Sequence, residues 1–139
     1  SIISSGKVCL PSFPDISNID SGDVHQKNTD LTINWSAVSN ATAIDVTIDE
    51  NTTYEQYSSG LLPPTTTSHT VPSSFFNLFS DWSDTAECII NVTAYYGVSS
   101  EANYEDLDST DLGYNINGSA GFFIGINGDE TTIYVPISD

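Results

Sequence analysis

The 139-residue chain is predicted to be all-β, an antiparallel sandwich, and three runs carry that prediction. In residues 31–35, Leu31, Ile33 and Trp35 alternate with Thr32 and Asn34. In residues 44–49, Ile44, Val46 and Ile48 alternate with Asp45, Thr47 and Asp49. In residues 88–95, Cys88, Ile90, Val92 and Ala94 form one row, and Ile89, Asn91, Thr93 and Tyr95 the other. A period of two places alternate side chains on opposite faces, so each run is a strand with one face on a core and one in water. The predicted core is Trp35, Ile33, Ile44, Val46, Ile90 and Val92. The length suits one domain burying about two thirds of its unfolded surface.

Along the chain, residues 1–10 form a strand-like tail, with Ile2, Ile3, Val8 and Leu10 as its apolar positions and Gly6 as an interruption. Residues 60–69, with Pro63, Pro64 and three threonines, predict an extended connection, because proline lacks the amide a helix needs. Residues 73–82 (SSFFNLFSDW) predict one helical turn or a buried loop. Residues 101–117 are acidic and turn-rich. The remaining stretch, ending TTIYVPIS, predicts a C-terminal hairpin turning over Asn127-Gly128-Asp129-Glu130. In that register Ile126 opposes Thr131, Ile124 meets Ile133, Phe122 meets Val135 and Ala120 meets Ile137. A turn on Asn127-Gly128 alone would set polar groups opposite these apolar ones, so the longer turn is preferred.

Residues 11–100 resemble a fibronectin type III domain, an immunoglobulin-like sandwich. Residues 11–38 are similar to the family's opening, a proline-bearing first strand followed by a strand carrying the core tryptophan, here Trp35. ATAIDVTID resembles the third strand, TSHTVP the fifth, and ECIINVTAYYGVSS the sixth with its turn. One position departs from the pattern: Cys88 stands four residues before Val92, where the family usually has tyrosine. The resemblance implies a sandwich over 11–100, with residues 101–139 completing or extending it.

There are 19 acidic residues against Lys7 and Lys27, a formal net charge of −17. Such a charge repels phosphate backbones, so nucleic acid is excluded as a partner and anionic membrane surfaces are disfavoured. No apolar run is long enough to span a membrane. The charge suits a salty or cation-rich exterior, where counterions screen self-repulsion, or a very acidic one, where carboxylates are neutral. The start at Ser1 predicts an extracellular or cell-surface chain with a removed signal peptide; a boundary set by cloning is the alternative.

Cys9 and Cys88 are an even count in a chain read as exported, which predicts an intrachain disulfide. Free buried thiols and a bond between neighbouring chains are the alternatives. Five N-x-S/T sequons, at Asn34, Asn40, Asn51, Asn91 and Asn117, are candidate glycosylation sites. Asn34 and Asn91 fall on outward rows, the others in turns. Glu105, Asp106, Asp108 and Asp111 crowd one loop, and their oxygens suit calcium, though their spacing is not that of an EF-hand. No other cofactor is implied.

Nucleophilic catalysis finds no support in the two histidines, His25 and His69, or in any nucleophile motif, and a carboxylate-pair glycosidase is the one enzyme worth naming. The chain therefore reads as a non-enzymatic extracellular structural or adhesion protein. It reads further as a filament subunit in which a terminal strand is donated to the sheet of a neighbouring copy; pairing of both termini within their own subunit is the alternative, favoured by its higher effective concentration. Ile133, Val135 and Ile137, or the apolar residues of the tail, would fill the neighbour's groove. The alternative is an accessory carbohydrate- or protein-binding module of a larger secreted enzyme, with Tyr54, Tyr57, Tyr95, Tyr96 and Tyr104 as a stacking platform.

Overall fold

A computed structural model describes residues 5–6, 10–80, 84–97, 116–117 and 125–137. The fold is all-β. Its strands are β1 (Ser5–Gly6), β2 (Asp23–Val24), β3 (Leu31–Asn34), β4 (Ala43–Glu50), β5 (Gln56–Ser58), β6 (Ser68–Val71), β7 (Thr85–Tyr96), β8 (Ile116–Asn117) and β9 (Gly125–Pro136). A single helical turn, α1 (Ser73–Phe76), follows β6.

Five strands form one sheet in the order β2-β9-β7-β4-β5. Opposite it, β3 pairs with β6, and Ile16 bridges Trp35 on the far side of β3. The pair β1–β8 is separate. Alternation along β4 and β7 turns Ile44, Val46, Ile48, Cys88, Ile90, Val92 and Ala94 inward, each fully buried. Ile33 is fully buried and Trp35 is 3% exposed, so the six predicted core residues are all in the core. Burying one such large side chain contributes about 1.5–3 kcal/mol.

Helix α1 is a plug for one end of this core. Pro72 precedes it in extended backbone, and the Ser73 amide donates to Asp30 Oδ1 at 2.8 Å, satisfying one of the free amides of a helix start. Phe75 and Phe76 turn inward, and with Phe79 they make three edge-on ring contacts at 5.2–5.9 Å.

The expected C-terminal hairpin is corrected. Residues 125–136 run as one uninterrupted strand, with Asn127 opposite Ala94, Gly128 opposite Thr93, Asp129 opposite Val92 and Glu130 opposite Asn91. A twelve-residue partner, β7, offers a longer ladder than the hairpin could. Gly128 permits close contact here rather than a turn: a Cβ at this position would lie 3.1 Å from the Val92 carbonyl oxygen. Ala120, Phe122 and Ile124, which the hairpin register paired with Ile137, Val135 and Ile133, lie outside the described residues. A second correction concerns strand sense. The β2–β9 pair is parallel, with Asp23 opposite Ile133 and Val24 opposite Tyr134.

Candidate functional site

Strand β9 is polar in its first half and apolar in its second on the inward row, and this division organises the N-terminal half of the molecule. Ile133, Val135 and Ile137 are buried in the chain's own core. The apolar residues expected to fill a neighbour's groove thus fill this chain's own sandwich. Asn127 and Asp129, on the same row, hold the incoming chain instead. Asn127 Nδ2 donates to the Pro11 carbonyl at 3.1 Å, and Asp129 Oδ2 accepts from the Ile16 amide at 2.8 Å. Further on, the Gly22 amide donates to the Thr132 carbonyl at 2.8 Å and the His25 amide to the Tyr134 carbonyl at 2.9 Å. Residues 11–25 therefore run alongside β9 in the same sense, tied to it from one pole of the sandwich to the other.

Cys88 is a free, buried thiol opposite Ile133, and its ionisation is pushed up to about 12 by burial, with Glu50 and Glu87 adding to the effect. Cys9, its expected disulfide partner, lies outside the described residues.

Across the sandwich, strands β5 and β6 face one another from opposite sheets. Tyr57 Oη and His69 Nε2 are 2.7 Å apart, and Tyr57 also packs against Phe75. His69 is held below its ordinary value by burial, with Asp45 acting in the opposite direction. Asp45 is 5% exposed, and the hydroxyls of Ser58 and Ser59 approach its Oδ1 at 3.3 and 3.2 Å. Beside β5, Thr47, Asp49, Gln56, Tyr57 and Ser58 line an open depression of about 270 Å³. Gln56 Nε2 donates to Asp49 Oδ1 across its floor at 2.9 Å.

At the C-terminal end of β4 a buried carboxylate shapes the turn. Glu50 accepts from the amides of Thr52 and Thr53 and from the Thr53 hydroxyl. Burial pushes its carboxyl up, but the hydrogen bonds from Thr53 and Thr52 together hold it below the ordinary value.

The tyrosines expected to form a stacking platform are dispersed. Tyr54 is 83% exposed between the turn at 51–53 and β5, Tyr57 faces the core, and Tyr95 and Tyr96 point to opposite sides of β7. Tyr104 lies outside the described residues, as do the calcium candidates Glu105, Asp106, Asp108 and Asp111. Of the tail residues, Leu10 is 66% exposed, while Ile2, Ile3 and Val8 are outside the described residues. Of the sequons, Asn34 and Asn91 are half-buried on strands and Asn40 and Asn51 are exposed in bends or turns. Asn117 is in β8, and its side chain lies outside the described residues.

His25 is engaged structurally, its Nε2 against the Thr29 carbonyl and its ring on Phe76. Among the described residues no helix is long and apolar enough to cross a membrane, and no three His, Cys, Asp or Glu side chains group to hold a metal. Sequence reasoning missed Asn127 and Asp129, whose polar character at inward positions was read as a turn. Comparison with known proteins finds no matching family model, no matching curated protein and no matching solved structure.

Proposed function

We propose that this chain is a non-enzymatic structural module of the cell exterior that carries tension between its two ends. One observation carries the reading: residues 11–25 lie parallel to β9, tied to it through Asn127, Asp129, Thr132 and Tyr134. Parallel neighbours at the two ends of a chain leave from opposite poles. Force applied between those poles shears all the ties at once, whereas antiparallel neighbours would peel one bond at a time. Pole-to-pole exits also suit modules arranged in series, in a tandem chain or in a head-to-tail filament. The net charge of −17 supports a place in a salty or cation-rich exterior.

The fibronectin type III-like reading of residues 11–100 is supported by the neighbouring strands β5-β4-β7 facing β3-β6. The depression beside β5, lined by Asp49, Gln56, Thr47 and Ser58, favours a second reading, an accessory module that binds a polar ligand such as a glycan.

Single-molecule pulling tests the tension reading. Handles at Leu10 and Ile137 load the ties in shear; handles at Leu10 and Ile126, which leave the same pole, peel them. A markedly higher unfolding force in the first geometry is expected, reduced by His25→Pro, which removes the amide donated to Tyr134. Equal forces in the two geometries would overturn it. A glycan-array hit abolished by Asp49→Ala would instead favour the binding module.

A further inference from the structure

We propose that Asn40 is, of the four sequon asparagines whose side chains are described, the one at which the folded chain accepts an N-linked oligosaccharide. The reaction is a glycosyl transfer from a lipid-diphosphate-linked oligosaccharide. The Asn40 Nδ2 attacks the anomeric carbon, a C–N bond forms, the bond from that carbon to the diphosphate oxygen breaks, and the amide gives up one proton. The transferring enzyme must draw three consecutive residues into its own groove and use the hydroxyl of the third. The sequon that leaves the fold most easily therefore reacts first.

Three of the four are held. Asn34-Trp35-Ser36 includes the buried Trp35, and Asn34 Oδ1 accepts from Ser68 Oγ at 2.7 Å. Asn91-Val92-Thr93 lies in the middle of β7, paired on both sides, with Val92 fully buried. Asn51-Thr52-Thr53 is exposed, but Asn51 Nδ2 donates to Glu87 Oε1 at 2.9 Å and the Thr53 hydroxyl is bound to Glu50. Releasing that turn leaves the buried Glu50 carboxylate without its donors, so its desolvation is no longer offset.

Asn40-Ala41-Thr42 is different. It forms the bend between β3 and β4, and Asn40 is exposed at φ +57°, a left-handed conformation asparagine tolerates. Its side-chain amide has no hydrogen bond among the described residues. The ties of this sequon are at its last residue, where the Thr42 amide donates to the Tyr95 carbonyl at 2.7 Å and the hydroxyl at 3.3 Å. Opening it disturbs the end of one ladder and lifts the partly buried Ala41 off the margin of the core, while every fully buried side chain stays in place. The bend sits at the pole where residues 11–12 enter, since the Ser12 amide donates to the Ser39 carbonyl at 3.0 Å.

The full folded chain would be incubated with a lipid-diphosphate-linked oligosaccharide and a single-subunit oligosaccharyltransferase indifferent to flanking residues. Glycopeptide mapping over time gives a rate for each site, normalised to the rate of a free peptide carrying the same sequon. Asn40 is expected to react about tenfold or more faster than Asn34, Asn51 or Asn91. Asn40→Asp, which keeps a side chain suited to the bend, is expected to abolish that modification and leave the circular dichroism spectrum unchanged. Absence of glycan from Asn40, or normalised modification of any of the other three at an equal or greater rate, overturns the proposal.

Discussion

Tyr57 Oη and His69 Nε2 meet at 2.7 Å, one from β5 and the other from β6, so a hydrogen bond joins strands of two different sheets. Burial holds the His69 imidazole below its ordinary value, and Asp45 opposes this. A base with a depressed pKa in the fold binds fewer protons there than in the unfolded chain, so unfolding takes up protons. Its stabilisation is present above the unfolded value of about 6.5 and is lost as pH falls through the folded value. An NMR titration should place His69 below that unfolded value, and denaturation midpoints should fall as pH drops from about 6.5. His69→Gln should remove this component of the pH dependence. Tyr57→Phe should cost about 1 kcal/mol.

Trp35 carries the largest single contribution expected from the core. Truncation to Ala should cost roughly 3–5 kcal/mol, read from urea unfolding. Its Nε1 is buried and unpartnered among the described residues. Trp35→Phe should therefore cost much less than the alanine change, because it removes a buried donor along with some volume. Equal losses for the two variants would mean that the indole nitrogen has a partner.

Cys88 should behave as a sealed thiol. With ionisation pushed to about 12 and the sulfur in the core, alkylation at neutral pH should be slow in the native chain and fast in denaturant. Mass spectrometry under non-reducing conditions should find Cys88 unlinked to Cys9. A joined Cys9–Cys88 peptide would show that the Cys88 thiol is not sealed.

Glu50 makes an acid-side prediction. Its carboxyl is lowered overall, so the unfolded chain binds more protons below the ordinary carboxylate value, and the stabilisation is present above about pH 4.5. It should be lost as pH falls from there through the folded value. Glu50→Gln should lower stability at pH 7 and flatten the decline between pH 5 and 3. An unchanged profile would mean that the Thr52 and Thr53 amides do not hold the charge.

Gly128 tests the continuity of β9. Hydrogen exchange should protect the backbone around residues 127–131 to the same order as β7, and Gly128→Ala should destabilise, because the new methyl meets the Val92 carbonyl. Fast exchange across 127–130 would restore the hairpin.

Much of the architecture was legible in the chain because strand alternation is a local signal. Ile33, Trp35, Ile44, Val46, Ile90 and Val92 announce their faces within a few residues, and each is buried where period two places it. At residues 73–76 the sequence left one helical turn and a buried loop as alternatives, and the helical turn is what forms. Strand β9 was not legible. Asn127-Gly128-Asp129-Glu130 has turn chemistry when read alone, and only a twelve-residue partner on β7 and the amide of Ile16 give those residues a reason to stay extended. The parallel tie of residues 11–25, the Tyr57–His69 contact and the differing exposure of the sequons share that origin. Each depends on groups far apart in sequence, brought together by burial of a common core, and neither spacing nor composition encodes such meetings. Local pattern determined which residues face inward; long-range packing decided which of them meet.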